Sequence, residues 1–115
     1  MRSGGDRERL FDILEAIDRI ERYAQRGREA FDSEELIQSW IVHHLQILGE
    51  ASRELSEDFK AKNPQVPWKS IIGMRHVLVH DYMNVDLDVA WTAATVHVPP
   101  LKAEVEKMLA QFPSD

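Results

Sequence analysis

The hydrophobic positions near the start of the chain follow the period of an α-helix. From Asp6 to Tyr23, apolar residues recur at intervals of three and four. This spacing predicts a helix with one buried stripe. The charged residues between the apolar ones are typical of a solvated face.

A second, longer helix is predicted after a polar break at residues 25–28. Asp32 can cap it, and Glu35 three residues later completes a capping box. The apolar stripe continues to about Lys62, where Asn63-Pro64 ends the helix. Gly49 lies inside this pattern, where glycine costs about 1 kcal/mol relative to alanine. We therefore expect a close helix crossing at Gly49.

The second half of the chain predicts further helices. Pro67 suits the first turn of a third helix, and Trp68 is a candidate core anchor. The segment 70–82 is ambiguous because its apolar runs also fit short buried strands. We favour a helix there, since no second strand pattern is available to pair with it. Asn84 or Asp86 can cap a fourth helix, and Pro99-Pro100 can start a fifth, so the pattern favours an all-α fold.

Length and composition fit one soluble domain over residues 1–115, with residues 1–5 expected to be disordered. The absence of cysteine excludes disulfides and thiolate zinc sites. The polar N-terminus and the lack of a long apolar run predict a cytoplasmic protein with no membrane partner. A net charge of −6 argues against broad wrapping of nucleic acid but leaves room for a small basic site.

Candidate chemistry is concentrated in GMRHVLVHDY, residues 73–82. On a continuous helix, Arg75 and Tyr82 would lie nearly in register, and His76 and His80 would lie together. Two imidazoles at this spacing can bind one metal ion, with a third ligand from the pair at positions 43 and 44, His43 or His44.

The same residue types also suit RNA cleavage without metal. A histidine that titrates near neutral pH can move the 2′-hydroxyl proton or protonate the 5′-oxygen, and arginine can hold the charge on the reacting phosphate. One histidine cannot readily be both acid and base, so His76 or a second subunit would have to contribute. Taken singly, each of these residues also fits a structural or merely exposed role.

The motif Arg75-x-x-x-x-His80-x-Tyr82 resembles the RxxxxHxY signature of the HepT-type HEPN toxins, the RNase half of HepT/MntA toxin–antitoxin pairs. The flanking segments ILEAIDRIERY, LGEASRELS, PQVPWKSII and VDLDVAW are similar too, so the resemblance spans about Leu10 to Leu109. It implies a homodimeric, HEPN-like antiparallel bundle of four to five helices. The two RxxxxH motifs would face one another across a cleft.

The resemblance implies a metal-independent endoribonuclease that needs no cofactor, cleaves cellular RNA, including tRNA, and leaves a cyclic phosphate. His80 would be the acid/base group and Arg75 the phosphate-stabilising group. Tyr82 would receive AMP from a cognate MntA-type nucleotidyltransferase antitoxin. AMP at Tyr82 would add bulk and negative charge beside Arg75, where an RNA phosphate must lie.

Three further residues are given supporting roles. His76 stands where the family often has a polar residue, and we expect it to assist catalysis or line the cleft. Glu50, in a segment expected to pack near the motif, either orients Arg75 or His80 or forms an intersubunit pair. We expect Lys69, with Arg75 and Arg53, to make a local positive patch.

A rival interpretation uses the same surface. In it, the chain is a non-catalytic helical interaction module that docks a nucleotidyltransferase and cleaves nothing.

Overall fold

The first helix buries the stripe that its spacing predicts. In the computed structural model, which describes residues 5–81 and 84–112, helix α1 spans Asp6–Ala24 and buries its apolar residues from Leu10 to Ile20. Residues 75, 77, 79–81 and 84 are described by their backbone alone. The expected disorder of residues 1–5 concerns residues outside this range, apart from Gly5, which is the N-cap of α1.

The described part of the chain is almost entirely helical, which confirms the all-α fold class. After α1 the helices are α2 (Arg28–Ser33), α3 (Glu35–Arg53), α4 (Glu57–Lys62), α5 (Trp68–Ile72), α6 (Met74–Leu78), α7 (Leu87–Thr92) and α8 (Val98–Ala110). A π-helical turn, Ala93–His97, joins α7 to α8. Two short strands, β1 (Val79–Asp81) and β2 (Asn84–Val85), lie between α6 and α7.

The prediction of one long second helix is wrong, because the segment is divided into α2, α3 and α4. Asp32 lies inside α2, and Glu34 is the N-cap of α3 without a side-chain hydrogen bond, so the predicted capping box does not form. Ser56 starts α4 by accepting a hydrogen bond from Phe59 N at 3.1 Å. The Asp6 carboxylate accepts from Ser56 N and Oγ, both at 2.8 Å, which ties this break to the start of α1.

The last two predicted helices form one uninterrupted helical segment. Asp86 caps α7, since its carboxylate accepts from Val89 N at 3.0 Å, as predicted. Pro99 and Pro100 lie in the first turn of α8, as predicted. Val98, however, already belongs to α8, and the π-helical turn carries the chain from α7 into it without a break.

The core is one cluster of apolar side chains. The fully buried members come from most of the helices, among them Leu10, Ile17, Phe31, Leu45, Leu78, Val98 and Val105. Trp68 anchors α5 in this core as predicted, with its Nε1 donating to the Asn63 carbonyl at 3.0 Å. Within the described ranges, no helix has the length and apolar character needed to span a membrane.

The close crossing expected at Gly49 is confirmed. A Cβ built on Gly49 would lie 2.9 Å from the Ile71 carbonyl oxygen, so α3 and α5 touch backbone to backbone. Because Gly49 has no side chain, α3 packs directly against α5, the segment that leads into the motif.

We expect Gly49→Ala to destabilise the protein. Overpacking costs about 1–3 kcal/mol, whereas the better helix propensity of alanine returns only about 1 kcal/mol. Because the clash is with backbone, which yields less readily than a side chain, we expect a net loss of about 1–2 kcal/mol, measured by chemical denaturation. Ser39→Ala, at an exposed position of the same helix, is the matched control and should change little. A Gly49→Ala variant as stable as the wild type would contradict the crossing.

A buried histidine makes stability depend on pH. Burial lowers the pKa of His44, whose Nδ1 lies 2.8 Å from the Trp40 carbonyl oxygen and whose ring packs on the Trp40 ring at 4.5 Å. The folded protein therefore resists a proton that the unfolded chain accepts near pH 6.5. Stability is fully present above that pH and falls as the pH drops toward the lower folded pKa.

Chemical denaturation between pH 7.5 and 5.5 should show this loss in the wild type. His44→Gln should make the free energy of unfolding depend less on pH over this range, because the substitution removes the titrating group. His97→Gln, at an exposed position, should keep the wild-type slope. If His44→Gln kept the pH dependence of the wild type, His44 would not be the group responsible for it.

Candidate functional site

The motif begins on a pair of short helices that bend at a glycine. Gly73 N donates to the Lys69 carbonyl at 2.9 Å and closes α5, while His76 N donates to the Gly73 carbonyl at 3.0 Å and opens α6. Leu78, at the end of α6, is completely buried and fixes this segment to the core. Arg75 and His76 therefore lie on a helix whose two ends are anchored.

The helix does not continue to Tyr82, so the prediction of one helix through the motif is wrong beyond Leu78. β1 pairs antiparallel with β2, with Val79 opposite Val85. The Asp86 N–H donates to the Leu78 carbonyl at 2.7 Å and closes the ribbon. His80 lies within β1, and Tyr82 lies outside the described residues.

This break removes the main support for a metal site. His76 and His80 were expected to share a helix face, but they lie on a helix and a strand. His44, a candidate third ligand, is buried against Trp40, while His43 is exposed. Among the described residues, no three His, Cys, Asp or Glu side chains come together in a way that could hold a metal ion.

The segment around Glu50 packs beside the motif, as expected. The preceding residue, Gly49, touches the Ile71 backbone, while the Glu50 carboxylate accepts from Arg53 Nη2 at 2.7 Å. Both members of this pair are well exposed, so the pair itself contributes about 0–1 kcal/mol. It also offsets the charge of Arg53, which weakens that residue as a member of the expected positive patch.

The remaining supporting residues are open to solvent. Lys69 on α5 and His76 on α6 are both exposed. A soluble ligand can therefore reach a cation and an imidazole on the two helices that carry the start of the motif.

A mostly apolar groove of about 760 Å³ lies on another side of α5 and α6. Ile71 and Met74 line it from the motif side, and Ala93 lines it from the π-helical turn. Asp88 and Glu104 also line it, and the Asp88 carboxylate accepts a hydrogen bond from Arg28 Nη2. Sequence reasoning missed this groove because no local pattern signals the π-helical turn.

These observations define a class of protein: an all-α bundle that carries Arg75 on α6 and His80 on β1, directly after α5. The model of the ribonuclease HepT-like family matches residues 13–108, which include the whole motif. The chain belongs to this family. The membership confirms the resemblance drawn from the motif and the class of enzyme, a ribonuclease.

Individual relatives agree with the family match. A predicted RNase of Methanocaldococcus jannaschii is 40% identical over 98 residues, which cover 84% of this chain and 90% of the relative. The probable ribonuclease HepT of Thermococcus cleftensis is 37% identical over 100 residues, covering 86% of this chain and 91% of the relative. No solved structure matches the chain at a significant level.

Proposed function

We propose that the protein is a metal-independent endoribonuclease whose reaction is carried by Arg75 and His80. The observation that supports this most directly is the presence of the complete RxxxxHxY motif inside the residues matched by the family model. The open surface beside the motif, with exposed Lys69 and His76, agrees with an RNA substrate.

The chemistry follows from these residue types. A neutral His80 removes the proton from the 2′-hydroxyl, and the 2′-oxygen attacks the adjacent phosphorus. The bond from phosphorus to the 5′-oxygen breaks, and a protonated histidine donates a proton to that oxygen. The products are a 2′,3′-cyclic phosphate and a 5′-hydroxyl end. Arg75 holds the extra negative charge on the phosphate in the transition state.

Two histidines in opposite protonation states are needed, and a homodimer supplies them. With the two motifs facing across a cleft, His80 of one subunit acts as base and His80 of the other as acid. The alternative acid within the same chain is His76, which is exposed on the helix that begins the motif.

Lys69 gives the incoming RNA backbone a point charge next to the motif. Glu50 follows Gly49, the residue at the crossing of α3 and α5, and accepts from Arg53 in an exposed pair. We propose that it either orients Arg75 or His80 or forms an intersubunit pair.

Tyr82 is the proposed site at which the enzyme is inhibited. We propose that the protein is the toxin of a HepT/MntA-type pair acting on cellular RNA in the cytoplasm. A cognate MntA-type nucleotidyltransferase transfers AMP from a nucleoside triphosphate to the Tyr82 hydroxyl, with release of pyrophosphate. The bulk and negative charge of the AMP group then compete with RNA for Arg75.

The test is incubation of the purified protein with tRNA in EDTA. The proposal predicts shorter RNAs that end in a cyclic phosphate. If every RNA stays intact while the protein still binds its nucleotidyltransferase, the non-catalytic docking module is the correct interpretation.

A further inference from the structure

A row of four aromatic rings crosses from α1 to the exposed side of α3. The Tyr23 and Trp40 rings meet edge to face with their centroids 5.2 Å apart, and the Trp40 ring lies 4.5 Å from that of His44. The His43 ring continues the row at 5.0 Å from His44. Trp40 Nε1 donates to the Arg19 carbonyl at 2.7 Å, which fixes the row to α1. Because His43 is exposed and Trp40 partly exposed, the row presents rigid ring surfaces to solvent.

Arginine side chains lie beside these rings. Arg19 and Arg22 belong to the last two turns of α1, and Arg26 follows shortly after the helix. Arg22 is exposed and forms no ion pair within the described part of the chain. Arg19 lies 3.5 Å from the Glu15 carboxylate and Arg26 lies 3.0 Å from that of Glu34. Both pairs are exposed and therefore weak, so a phosphate group can replace the carboxylate in either of them.

The arginines are close enough to act on the rings. Burial lowers the pKa of His44 most, and repulsion from His43 and from the guanidinium groups of Arg19 and Arg22 lowers it further. Cations and ring surfaces therefore share one side of the α1–α3 pair. We call Arg19, Arg22, Trp40 and His43 the arginine–aromatic patch.

The other side of α1 has the opposite charge. Asp12, Asp18 and Glu106 line a shallow groove between α1 and α8. Lys102 also lines this groove, but its ammonium group is paired with the Glu21 carboxylate at 2.9 Å. In a chain of net charge −6, a polyanion is therefore repelled from the α8 side of α1 and attracted to the side that carries the patch.

The patch lies across α3 from the motif segment. Gly49 faces α5, and Trp40 precedes it by nine residues, which at about 100° per residue places Trp40 on the opposite side of α3. The two surfaces are about 14 Å apart along the helix and about 10 Å apart across it. A ligand must therefore be long to touch both, and a dimer that brings the motif segments together leaves the patch on its outer surface.

We propose that the arginine–aromatic patch is a second contact for the RNA substrate. Bases of a single-stranded segment or loop stack on the His43 and Trp40 rings, while the guanidinium groups hold the neighbouring phosphates. Rings that accept any base, next to cations that follow the backbone, are the combination with which proteins bind single-stranded RNA. The inference deepens the proposed function and rests on it. An RNA that spans the motif and the patch binds more tightly than one held at the motif alone.

The first test is the affinity for labelled tRNA, measured in EDTA. Arg22→Glu/His43→Ala removes the unpaired charge and the exposed ring and leaves the core intact. This double variant should bind tRNA about tenfold more weakly or worse, since one stacked base alone contributes about that much. The dependence of log affinity on log salt concentration should also fall by about one.

Lys62→Glu is the matched control, because it makes the same change of charge at an exposed residue of α4. It should bind tRNA about as tightly as the wild type. If the double variant bound as tightly as this control, the patch would not contact RNA.

Photo-crosslinking locates the contact directly. RNA that contains 4-thiouridine should crosslink to peptides that cover residues 19–26 or 40–43, in addition to residues 69–80. Crosslinks confined to residues 69–80 would overturn the proposal.

RNA cleavage by the same samples separates this proposal from the proposed function. The double variant should raise KM for tRNA more than it lowers kcat, because the patch binds substrate without touching the reacting phosphate. A wild type that binds tRNA and cleaves none would refute the ribonuclease function, and weaker binding by the double variant would still support the patch. A double variant that binds and cleaves tRNA as the wild type does would refute the patch and leave the ribonuclease function standing.

Discussion

His80→Ala is expected to lower the rate of RNA cleavage by about 10³-fold or more. A positioned acid or base contributes about 10²–10⁴-fold, and in the proposed dimer the substitution would remove both the base and the acid. The measurement is the single-turnover rate on one defined RNA, made in EDTA so that contaminating metal-dependent nucleases are silent.

His97→Ala is the matched control for this variant. His97 is an exposed histidine on the π-helical turn and has no place in the proposed chemistry. The His97→Ala variant should cleave RNA at the wild-type rate. If His80→Ala kept more than a tenth of that rate, His80 would not be the acid/base group.

Tyr82→Phe is expected to separate activity from control. The phenyl ring lacks the hydroxyl that we propose accepts AMP, so the variant should cleave RNA at about the wild-type rate before and after exposure to the nucleotidyltransferase and ATP. The wild type should lose nearly all activity under the same treatment. The measurement compares cleavage rates before and after treatment.

The other tyrosine provides the control for this experiment. Tyr23 packs edge-on against the Trp40 ring, with centroids 5.2 Å apart, and Tyr23→Phe keeps that ring. It should be silenced like the wild type. Silencing of Tyr82→Phe would show that AMP is added elsewhere.

Local signals predicted the parts of the fold that depend on local chemistry. The stripe on α1, the Asp86 cap and the prolines of α8 were read correctly because each depends on residues a few positions apart. Gly49 was also read correctly, since a glycine in the middle of a helix needs a close neighbour to explain it.

The errors come from competition between local signals and distant contacts. Asp32 has the right spacing for a capping box, but its carboxylate instead accepts from Arg28 Nε at 2.8 Å within α2. Ser56 ends the long helical pattern early because it bonds to Asp6, fifty residues away. The spacing of apolar residues along the chain predicts neither of these hydrogen bonds.

The site shows the same limit. The motif was identified from its residues, but its path was not, because the strand that pairs with β1 is only two residues long. Two residues carry no alternation from which to predict a strand. We assumed a continuous helix, on which His76 and His80 would share a face. They do not, because the helix ends at Leu78 and His80 lies on β1.

The most direct test of the central claim is an intact-mass measurement on the protein made with and without its nucleotidyltransferase, paired with RNA cleavage by the same two samples. The account predicts that the protein made alone has the mass of the bare chain and cleaves RNA. It also predicts that the co-produced protein carries AMP on Tyr82 and leaves RNA intact. An unmodified protein that cannot cleave RNA, or an AMP-modified protein that still can, would contradict it.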